Sequence, residues 1–366
     1  MRVTLLVDAL GPNPGGIGRY TWELCKGLAE RRDLVSLFFG RGRLLRDPGQ
    51  LVRGERPREV GQPFHKVRGW LERRSLAGSI IHAPNYFLPR FVERGVVTAH
   101  DLSVFRYPET HPVERIKAFE MEFERSLRCA AHIITDTETV RFELMRDFNV
   151  KPERVTSVHL GVDERFEPQD RMTLAVPLAR IGLSPGDYAL CVSTLEPRKK
   201  IAELLSAWRR LPSLLRERFP LVLAGGSGWR NEALKVDVAR GVAEGWLRHL
   251  GYVEESELPV LYAGAALFLY PSIYEGFGLP PLEAMASGVP VIVANRSCLP
   301  EVCGDAAEYI DPEDQDDMLA AIVRVLSDEP WREAAAQRGL HRARQFTWQR
   351  CVEDTVAIYH DVAEQV

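Results

Sequence analysis

Short apolar runs alternate with longer amphipathic segments along the chain, first up to about residue 160 and again from residue 188 onward. The runs at residues 3–7 and 267–270 have the length and composition of strands buried on both faces of a parallel sheet. Residues 17–29 carry apolar side chains at helical spacing, which predicts an amphipathic helix. This strand–helix alternation, interrupted once and then resumed, predicts an α/β protein with two doubly wound domains.

A proline-bearing stretch separates the two series of elements. It begins at residue 161, contains Pro168 and Pro177, and runs to about Pro185, so we interpret it as a linker. We therefore predict a first domain over residues 1–165 and a second domain over residues 166–347.

Two glutamates, Glu275 and Glu283, mark a segment at residues 267–293 that has the pattern strand, turn, helix, strand. Gly276 and Gly278 let the backbone of the turn curve tightly and approach a ligand closely. A turn that opens a helix offers free N–H groups and the positive end of the helix dipole to an anion. Because a carboxylate beside a phosphate would be repelled, we predict that both glutamates contact sugar hydroxyls. The alternative is that Glu283 only favours the helix start and that Glu275 is a solvated loop residue.

Three consecutive cations, Arg198, Lys199 and Lys200, follow the predicted strand at residues 188–193. Cations just beyond a strand end suit a diphosphate, whose negative charge grows as it departs. The alternative is a solvated charge run over the helix start, which is disfavoured because cations oppose the helix dipole at that end.

The loop at residues 8–16 connects the first strand to the first helix, a general phosphate-binding arrangement. Three closely spaced glycines, Gly15, Gly16 and Gly18, do not fit the G-x-G-x-x-G pattern. The next strand, at residues 34–39, ends without an acid. Both features argue against a nicotinamide dinucleotide.

A histidine, His100, directly follows the predicted strand at residues 95–99. Ligands of parallel sheets bind beyond the carboxyl ends of the strands, so we favour a functional role over a structural one. Asp101 could orient the histidine ring or cap the following segment, and the sequence leaves both open.

Composition narrows the class of protein. The 366 residues are 45% hydrophobic and 27% charged, with a formal net charge of −4, which describes a globular protein with no bulk affinity for nucleic acid. Six cysteines lie scattered without a metal-binding spacing, which predicts reduced thiols in a cytoplasmic protein. The first apolar run is too short for a signal peptide or a membrane span. Asp314 and Asp316 form a D-x-D pattern, but their place at a predicted helix start favours an interaction with the helix dipole over metal binding.

Residues 41–74 hold ten Lys and Arg against four Asp and Glu, a formal excess of +6 (10 − 4) in a chain that is acidic overall. Two interpretations remain open for this segment. It is either a solvated insertion or an acceptor-side patch that faces anionic lipid headgroups or a lipid diphosphate.

Four stretches together resemble a known family, and they span nearly the whole chain. They are GGIGRY at residues 15–20, VVTAHDL at 96–102, STLEPRKK at 193–200 and EGFGLPPLEAMASGVPVI at 275–292. The last is similar to the E-x7-E signature of the retaining family 4 glycosyltransferases. The resemblance implies the GT-B fold, in which two Rossmann-like domains face each other across a cleft and the second holds most of the donor. It also implies that the last helix, over residues 348–366, packs back on the first domain.

The same resemblance implies roles for individual residues. His100 would contact the transferred sugar from the opposite domain, and Glu275 would hold hydroxyls of that sugar. Arg198 and Lys199 would neutralise the departing diphosphate, although many members carry an arginine earlier, where this chain has Ser193-Thr194. The remaining implied donor contacts are Gly16 at the diphosphate, Gly225 at the nucleotide, Tyr252 or Val253 at the base, the backbone of Phe277, Gly278 and Leu279 at the sugar or phosphate, and Glu283 at the ribose.

The implied reaction transfers a hexose from a nucleotide diphosphate sugar to a glycan or lipid-linked acceptor in polysaccharide assembly, with retention and without a metal or other cofactor. The EPRKK, HAPNYFLP and HDL segments resemble bacterial mannosyltransferases and favour GDP-mannose as donor. No carboxylate stands out as a nucleophile, so we expect attack from the face that the phosphate leaves. The alternatives are a UDP-sugar donor, a nucleotide-sugar epimerase of similar architecture, or a non-catalytic nucleotide-sugar-binding subunit. We expect a cytoplasmic protein, either free or peripheral on the inner face of the membrane.

Overall fold

The computed structural model describes residues 1–12, 15–55, 74, 76–226, 228 and 232–365. Within these ranges the strands are β1 (Arg2–Leu6), β2 (Val35–Gly40), β3 (Arg43–Leu45), β4 (Ile80–Ala83), β5 (Gly95–Ala99), β6 (Ala130–Thr135), β7 (Val155–Ser157), β8 (Ala189–Val192), β9 (Leu221–Ala224), β10 (Leu247–Gly251), β11 (Leu267–Tyr270), β12 (Val291–Ala294) and β13 (Ala307–Ile310).

The α-helices of the described residues are α1 (Gly16–Glu30), α2 (Gly49–Val52), α3 (Ser103–Arg106), α4 (Val113–Cys129), α5 (Glu138–Phe148), α6 (Arg171–Arg180), α7 (Ile201–Arg209), α8 (Ser213–Arg218), α9 (Glu232–Ala243), α10 (Leu258–Ala263), α11 (Leu279–Ala286), α12 (Leu299–Cys303), α13 (Gln315–Ser327), α14 (Glu329–Ala343) and α15 (Trp348–Glu364). None of these helices is long and apolar enough to span a bilayer.

The chain divides into two compact units. The first comprises Met1–Leu102, Lys117–Gly161 and Trp348–Val366, and the second comprises Ser103–Ile116 and Val162–Thr347. The terminal helix α15 thus belongs to the first unit, where the buried Tyr359 hydroxyl lies 2.6 Å from Nδ1 of His82.

The sheet of the first unit has the order β3-β2-β1-β4-β5-β6-β7, and all its pairings are parallel except that of β3 with β2. The hairpin that adds β3 was not predicted. Arg41 and Gly42 form its two-residue loop with φ of 51° and 76°, the left-handed pair of a type I′ turn. A strand of three residues is too short to show a periodic pattern, so it could not be recognised from the sequence.

The sheet of the second unit has the order β10-β9-β8-β11-β12-β13 and is parallel throughout. The strands β9, β11 and β12 are buried along their whole length, and Trp208 of α7 lies fully inside the apolar core of this unit. Apolar burial of this kind is the main stabilising term for such a sheet.

The predicted linker is wrong over residues 171–180, which form α6. Asp170 caps this helix, since its carboxylate accepts hydrogen bonds from the N–H groups of Met172 and Thr173, both at 2.9 Å. Pro177 lies inside the helix and misled the prediction, because proline normally ends or kinks a helix.

In both sheets the strand order reverses beside the first strand of the series. The reversal falls between β1 and β4 in the first unit and between β8 and β11 in the second. Loops that leave the carboxyl ends of two such strands diverge, and the crevice between them is where open α/β sheets bind ligands.

Candidate functional site

The loops that follow β8 and β11 meet at the reversal point of the second sheet. The N–H of Ile273 in the second loop donates to the carbonyl of Arg198 in the first, with an N···O distance of 3.0 Å. The structure therefore brings the predicted cations and the first predicted glutamate to one edge of the sheet.

A buried cluster of four charged side chains occupies this edge. The ammonium of Lys199 lies 2.5 Å from Glu275 and donates to the Tyr270 hydroxyl at 2.8 Å. Arg198 lies 3.3 Å from the other oxygen of Glu275 and 2.7 Å from Glu196. Two cations and two carboxylates balance formally, so the cluster is neutral.

Electrostatics hold Glu275 ionised. Burial by itself would raise the pKa of its carboxyl, but the charges of Lys199 and Arg198 outweigh burial and lower that pKa to about 2. Burial, reinforced by the Glu275 charge, raises the pKa of the Tyr270 phenol, which therefore stays protonated. Glu275 is therefore a carboxylate at neutral pH.

Local backbone geometry turns one of the consecutive lysines inward. Residues Pro197–Lys199 form a single 3₁₀ turn, and Lys200 then takes a left-handed conformation with φ of 53° before α7 begins. As a result Lys199 is 7% exposed, whereas Lys200 pairs at the surface with Glu203 and Glu313.

The turn that carries Glu275 is fixed from the loop after β12. The Ser297 hydroxyl donates to the carbonyl of Glu275 at 2.7 Å, and the Cys298 thiol donates to the carbonyls of Glu275 and Phe277 at 3.2 and 3.1 Å. Gly278 takes φ of 98° at the start of α11, a conformation that favours glycine. Ser297 and Cys298 were not predicted, although both lie just beyond the end of β12.

The second predicted glutamate, Glu283, lies in α11 and is 4% exposed. Leu279 is the first residue of that helix, so the backbone of Phe277, Gly278 and Leu279 leads directly into the helix N-terminus. This geometry agrees with an anion site at the turn. The ribose role of Glu283 stays a prediction.

A glycine at the end of β9 is required by close packing of the backbone. Gly225 has φ of 138°, and a Cβ there would lie 2.0 Å from the carbonyl oxygen of Ser193. Its N–H donates to the carbonyl of Gly251 at 2.6 Å. Tyr252 and Val253 follow Gly251, with Tyr252 52% exposed. The loops after β8, β9 and β10 are thus joined, and the nucleotide roles of these residues stay predictions.

In the first unit, His100 is buried and both of its ring nitrogens have partners. Nδ1 lies 2.8 Å from the carboxylate of Asp136, and Nε2 lies 2.8 Å from the carbonyl oxygen of Pro84. The N–H of Asp101 donates to the hydroxyl of Tyr86 at 3.1 Å. Gly16, the other residue predicted from this unit, is exposed and begins α1. Asp136, which follows the end of β6, was not predicted.

The D-x-D pattern lies at a helix start, as expected. Asp314 caps α13, since its carboxylate accepts from the N–H groups of Asp316 and Asp317 at 2.9 and 3.1 Å. Across the described part of the chain, no group of three or more His, Cys, Asp or Glu side chains could hold a metal ion.

The predicted basic patch lies largely outside the described residues, which omit 56–73 from the segment 41–74. Of the part that is described, Arg53 pairs with Asp47 at 2.8 Å and with Glu55 at 2.6 Å.

Comparison with known proteins gives a consistent assignment along the chain. The model for glycosyltransferase family 4 matches residues 14–166, and the model for glycosyl transferases group 1 matches residues 183–342. The sequence is 40% identical over 363 residues to O-antigen chain mannosyltransferase B of Escherichia coli, covering 94% of this chain and 95% of that protein.

Solved structures agree with this assignment at the level of the fold. WaaG, a glycosyltransferase involved in lipopolysaccharide biosynthesis, superposes with a TM-score of 0.74 at 16% identity, over 98% of this chain and 99% of that one. Anabaena HepE, solved with UDP and glucose, gives 0.75 at 17% identity, over 99% and 100%. The predicted GT-B fold of two α/β domains is confirmed.

Proposed function

Because this chain belongs to the family 4 glycosyltransferases, we propose that it transfers mannose from GDP-mannose to a glycan or lipid-linked saccharide in polysaccharide assembly. Its 40% identical relative is named as a mannosyltransferase, which supports mannose as the transferred sugar. The observation that carries the proposal is the buried cluster of Arg198, Lys199 and Glu275 at the reversal point of the second sheet.

The cluster fits a leaving diphosphate because its cations are fixed before the reaction begins. Lys199 and Arg198 are each held against Glu275, so they need little reorganisation as negative charge develops on the leaving group. Pro280 and Pro281 offer no N–H at the start of α11, so the donors there are the N–H groups of Gly278 and Leu279, which add a second positive end beside the cations. The four charged side chains have no net charge together. The attraction for the diphosphate therefore comes from these N–H groups and from the position of the phosphate oxygens, which would lie nearer to the two cations than to the two carboxylates.

Glu275 is suited to binding sugar hydroxyls because its carboxylate is also held in place before the reaction. Its two oxygens each face a cation, yet each carboxylate oxygen keeps lone pairs that can accept a hydroxyl proton. A carboxylate with a pKa of about 2 stays an acceptor at any physiological pH. It would therefore orient the sugar while it holds the cations that receive the phosphate.

For the stereochemistry we propose retention by attack on the same face, with the leaving phosphate accepting the proton of the acceptor hydroxyl. Arg198 and Lys199 would supply the charge that a metal supplies elsewhere, so transfer should survive EDTA. Trapping of a glycosyl–enzyme adduct would contradict this route.

A donor screen tests the proposal. Thermal denaturation is measured with GDP-mannose, UDP-glucose, ADP-glucose and dTDP-glucose, since a ligand at 100 times its Kd stabilises a protein by about 2.7 kcal/mol. We expect the largest rise in melting temperature with GDP-mannose. A larger rise with a UDP-sugar would assign the donor to that class instead.

A matched pair of variants then links the cluster to transfer. Lys199→Met should lower kcat by about a hundredfold or more, the usual effect of removing one charge-stabilising donor. Lys200→Met changes the neighbouring residue in the same way. Among the described residues its ammonium pairs with Glu203 and Glu313, away from the cluster, so kcat should stay within about twofold. Equal losses in the two variants would refute the assignment. Conversion of the donor without an acceptor would favour an epimerase, and donor binding without turnover would indicate a binding subunit.

A further inference from the structure

The short loop between β12 and α12 is anchored at both of its ends. The N–H of Asn295, the first residue after β12, donates to the carbonyl of Ile310 in β13 at 2.8 Å. At the other end, the N–H of Val302 donates to the carbonyl of Cys298 at 3.0 Å, within the first turn of α12. A loop fixed in this way by secondary structure can serve as a rigid support for a neighbouring turn.

Ser297 in this loop holds the backbone of Glu275 at two points. Its hydroxyl donates to the carbonyl of Glu275 at 2.7 Å and accepts the N–H of the same residue at 3.3 Å. Holding both backbone groups of one residue fixes its φ and ψ, so the direction in which the Glu275 side chain leaves the backbone is fixed as well. Lys199 and Arg198 hold the far end of that side chain. The carboxylate is thus positioned from both ends.

Ser297 also has a backbone conformation that serine normally avoids. Its φ of 54° lies in the left-handed region, where the Cβ atom crowds the backbone. Such a conformation persists where the surrounding structure imposes it, and residues that adopt it cluster at functional sites. Glycine would take the same φ without this crowding. The fold of the loop therefore does not require a hydroxyl at this position, whereas the bonds to Glu275 do.

Cys298 fixes the next part of the turn. Its buried thiol donates to the carbonyls of Glu275 and Phe277 at 3.2 and 3.1 Å. Across a trans peptide bond the carbonyl and the following N–H point in opposite directions. Because the carbonyl of Phe277 faces Cys298, the N–H of Gly278 points away from Cys298. This N–H is one of the two donors at the start of α11.

We propose that Ser297 and Cys298 are positioning residues for sugar transfer. Ser297 sets the direction of the Glu275 side chain, and Cys298 aims the N–H of Gly278 at the leaving group. The inference rests on the proposed function and deepens it, because it extends the machinery of transfer to two side chains that need not touch the donor. Misplacing a reacting group by about 1 Å can lower the rate about a hundredfold. Loss of positioning should therefore lower kcat more than it raises the donor KM.

Ser297→Gly tests the first role, because glycine can keep the backbone conformation while the hydroxyl is removed. We expect kcat with GDP-mannose and a glycan acceptor to fall about tenfold or more, while the donor KM stays within about threefold.

Ser287→Ala is the matched control for this variant. The buried Ser287 hydroxyl donates to the carbonyl of Glu283 at 2.9 Å, but the N–H of Ser287 already holds that carbonyl within the helix. Its kcat should therefore stay within about twofold of the wild type. An unchanged kcat in Ser297→Gly, a change confined to the donor KM, or an equal loss of kcat in both variants would overturn the assignment.

Cys298→Ala and Cys298→Ser separate the hydrogen bonds of the thiol from its volume. Serine keeps a donor at nearly the same place, whereas alanine removes it. We expect alanine to lower kcat about tenfold and serine to keep at least about half of it. Equal losses in the two variants would show that the sulfur acts through packing, which would refute the role of Cys298.

Amide hydrogen exchange of the full chain without any ligand provides a readout that needs no activity. Followed by mass spectrometry, exchange in a peptide spanning residues 271–278 should be about tenfold faster in Ser297→Gly, because the N–H of Glu275 loses its acceptor. Ser287→Ala should leave it unchanged. Exchange in Ser297→Gly that stays as slow as in the wild type would refute the positioning role. Failure of the wild type to bind any nucleotide sugar would instead refute the proposed function, and exchange would still measure how the turn is held.

Discussion

His100 and Asp136 form a buried pair whose proton count the geometry fixes. Nε2 of His100 faces the carbonyl oxygen of Pro84 at 2.8 Å, and because a carbonyl only accepts, this nitrogen carries a proton. The contact of 2.8 Å between Nδ1 and the carboxylate of Asp136 requires one more proton between them. The pair is therefore neutral overall with two protons, whether written as imidazolium and carboxylate or as imidazole and carboxylic acid. In this conformation His100 offers no free lone pair to a substrate.

This pair should make stability depend on pH. Burial by itself would lower the pKa of His100, but the Asp136 carboxylate outweighs it and raises that pKa. A histidine with a folded pKa above its unfolded value of about 6.5 contributes stability that is fully present below pH 6.5 and is lost as the pH rises through the folded pKa. We predict that the wild type loses unfolding free energy above pH 6.5 faster than Asp136→Asn does, by up to about 1.4 kcal/mol per pH unit.

Urea unfolding at several pH values between 6 and 9 measures this difference. Asp101, His82, Tyr20 and Tyr86 are also titratable neighbours of the ring. They are the same in both proteins, so the comparison isolates the effect of Asp136. NMR titration of the His100 ring should show a pKa that drops in the variant. Parallel pH dependence in the two proteins would contradict the two-proton description.

Glu275 should make the stability of the protein depend on pH in the acidic range. Its folded pKa of about 2 lies below its ordinary value of 4.5, so its ionisation contributes stability above about pH 4.5 that is lost as the pH falls toward 2. We predict that Glu275→Gln lowers the unfolding free energy by roughly 3 kcal/mol at pH 7. The same variant should lower kcat more than about tenfold, an effect above about 1.4 kcal/mol.

Measuring the unfolding free energy at pH 7 and at pH 3 tests whether the contribution of Glu275 decreases as the pH falls. The difference between wild type and Glu275→Gln should shrink by more than half at pH 3, because the unfolded wild type then binds a proton that the folded protein does not. Glu203→Gln is the control, since Glu203 pairs with Lys200 near the surface and should change stability by less than about 1 kcal/mol. An undiminished difference at pH 3 would show that packing, rather than charge, accounts for the loss.

Gly225 and Gly226 provide a matched pair of adjacent glycines. A Cβ on Gly225 would collide with backbone at 2.0 Å, whereas a Cβ on Gly226 meets nothing within 4 Å. We predict that Gly225→Ala destabilises the protein by about 2 kcal/mol or more and raises the donor KM, because the loops after β8 and β9 must separate. Gly226→Ala should stay within about 0.5 kcal/mol. Thermal unfolding and donor kinetics on both variants decide the matter, and similar effects in the two would exclude backbone crowding as the cause.

Much of this architecture follows from the sequence because parallel strands have a short, continuous apolar signature. The runs that became β1, β8 and β11 were predicted to within a few residues, since each is a short apolar run followed by a loop that leads into a helix. The sequence also predicted that Arg198, Lys199 and Glu275 act at the carboxyl ends of strands.

The contacts between side chains of different loops could not be predicted, because they depend on the order of the strands in the sheet. Lys199 and Glu275 meet because β8 neighbours β11, and spacing along the chain carries no information on that adjacency. Asp136 and Ser297 follow the ends of β6 and β12, so a search of every residue just past a strand end would have identified them. Their partners would still have remained unknown, because each partner belongs to a different loop.

Asp314 offers a test that separates helix capping from metal binding. Its carboxylate accepts the N–H groups of Asp316 and Asp317 at the start of α13, and loss of such a cap typically costs about 1 kcal/mol. We predict that Asp314→Ala lowers the unfolding free energy by that amount and leaves kcat for sugar transfer unchanged.

Asp316→Ala is the companion variant for this test. The Asp316 side chain is 82% exposed and pairs with Arg210, so its loss should change stability by less than about 1 kcal/mol. Transfer is measured for both variants with EDTA and with added Mg²⁺ or Mn²⁺. If the D-x-D pattern held a catalytic metal, both substitutions would reduce kcat together, and added metal would partly restore it. If Asp314 acts as a cap, only its own variant loses stability, and neither variant responds to the metal, because the two carboxylates then serve the helix N-terminus and a surface ion pair.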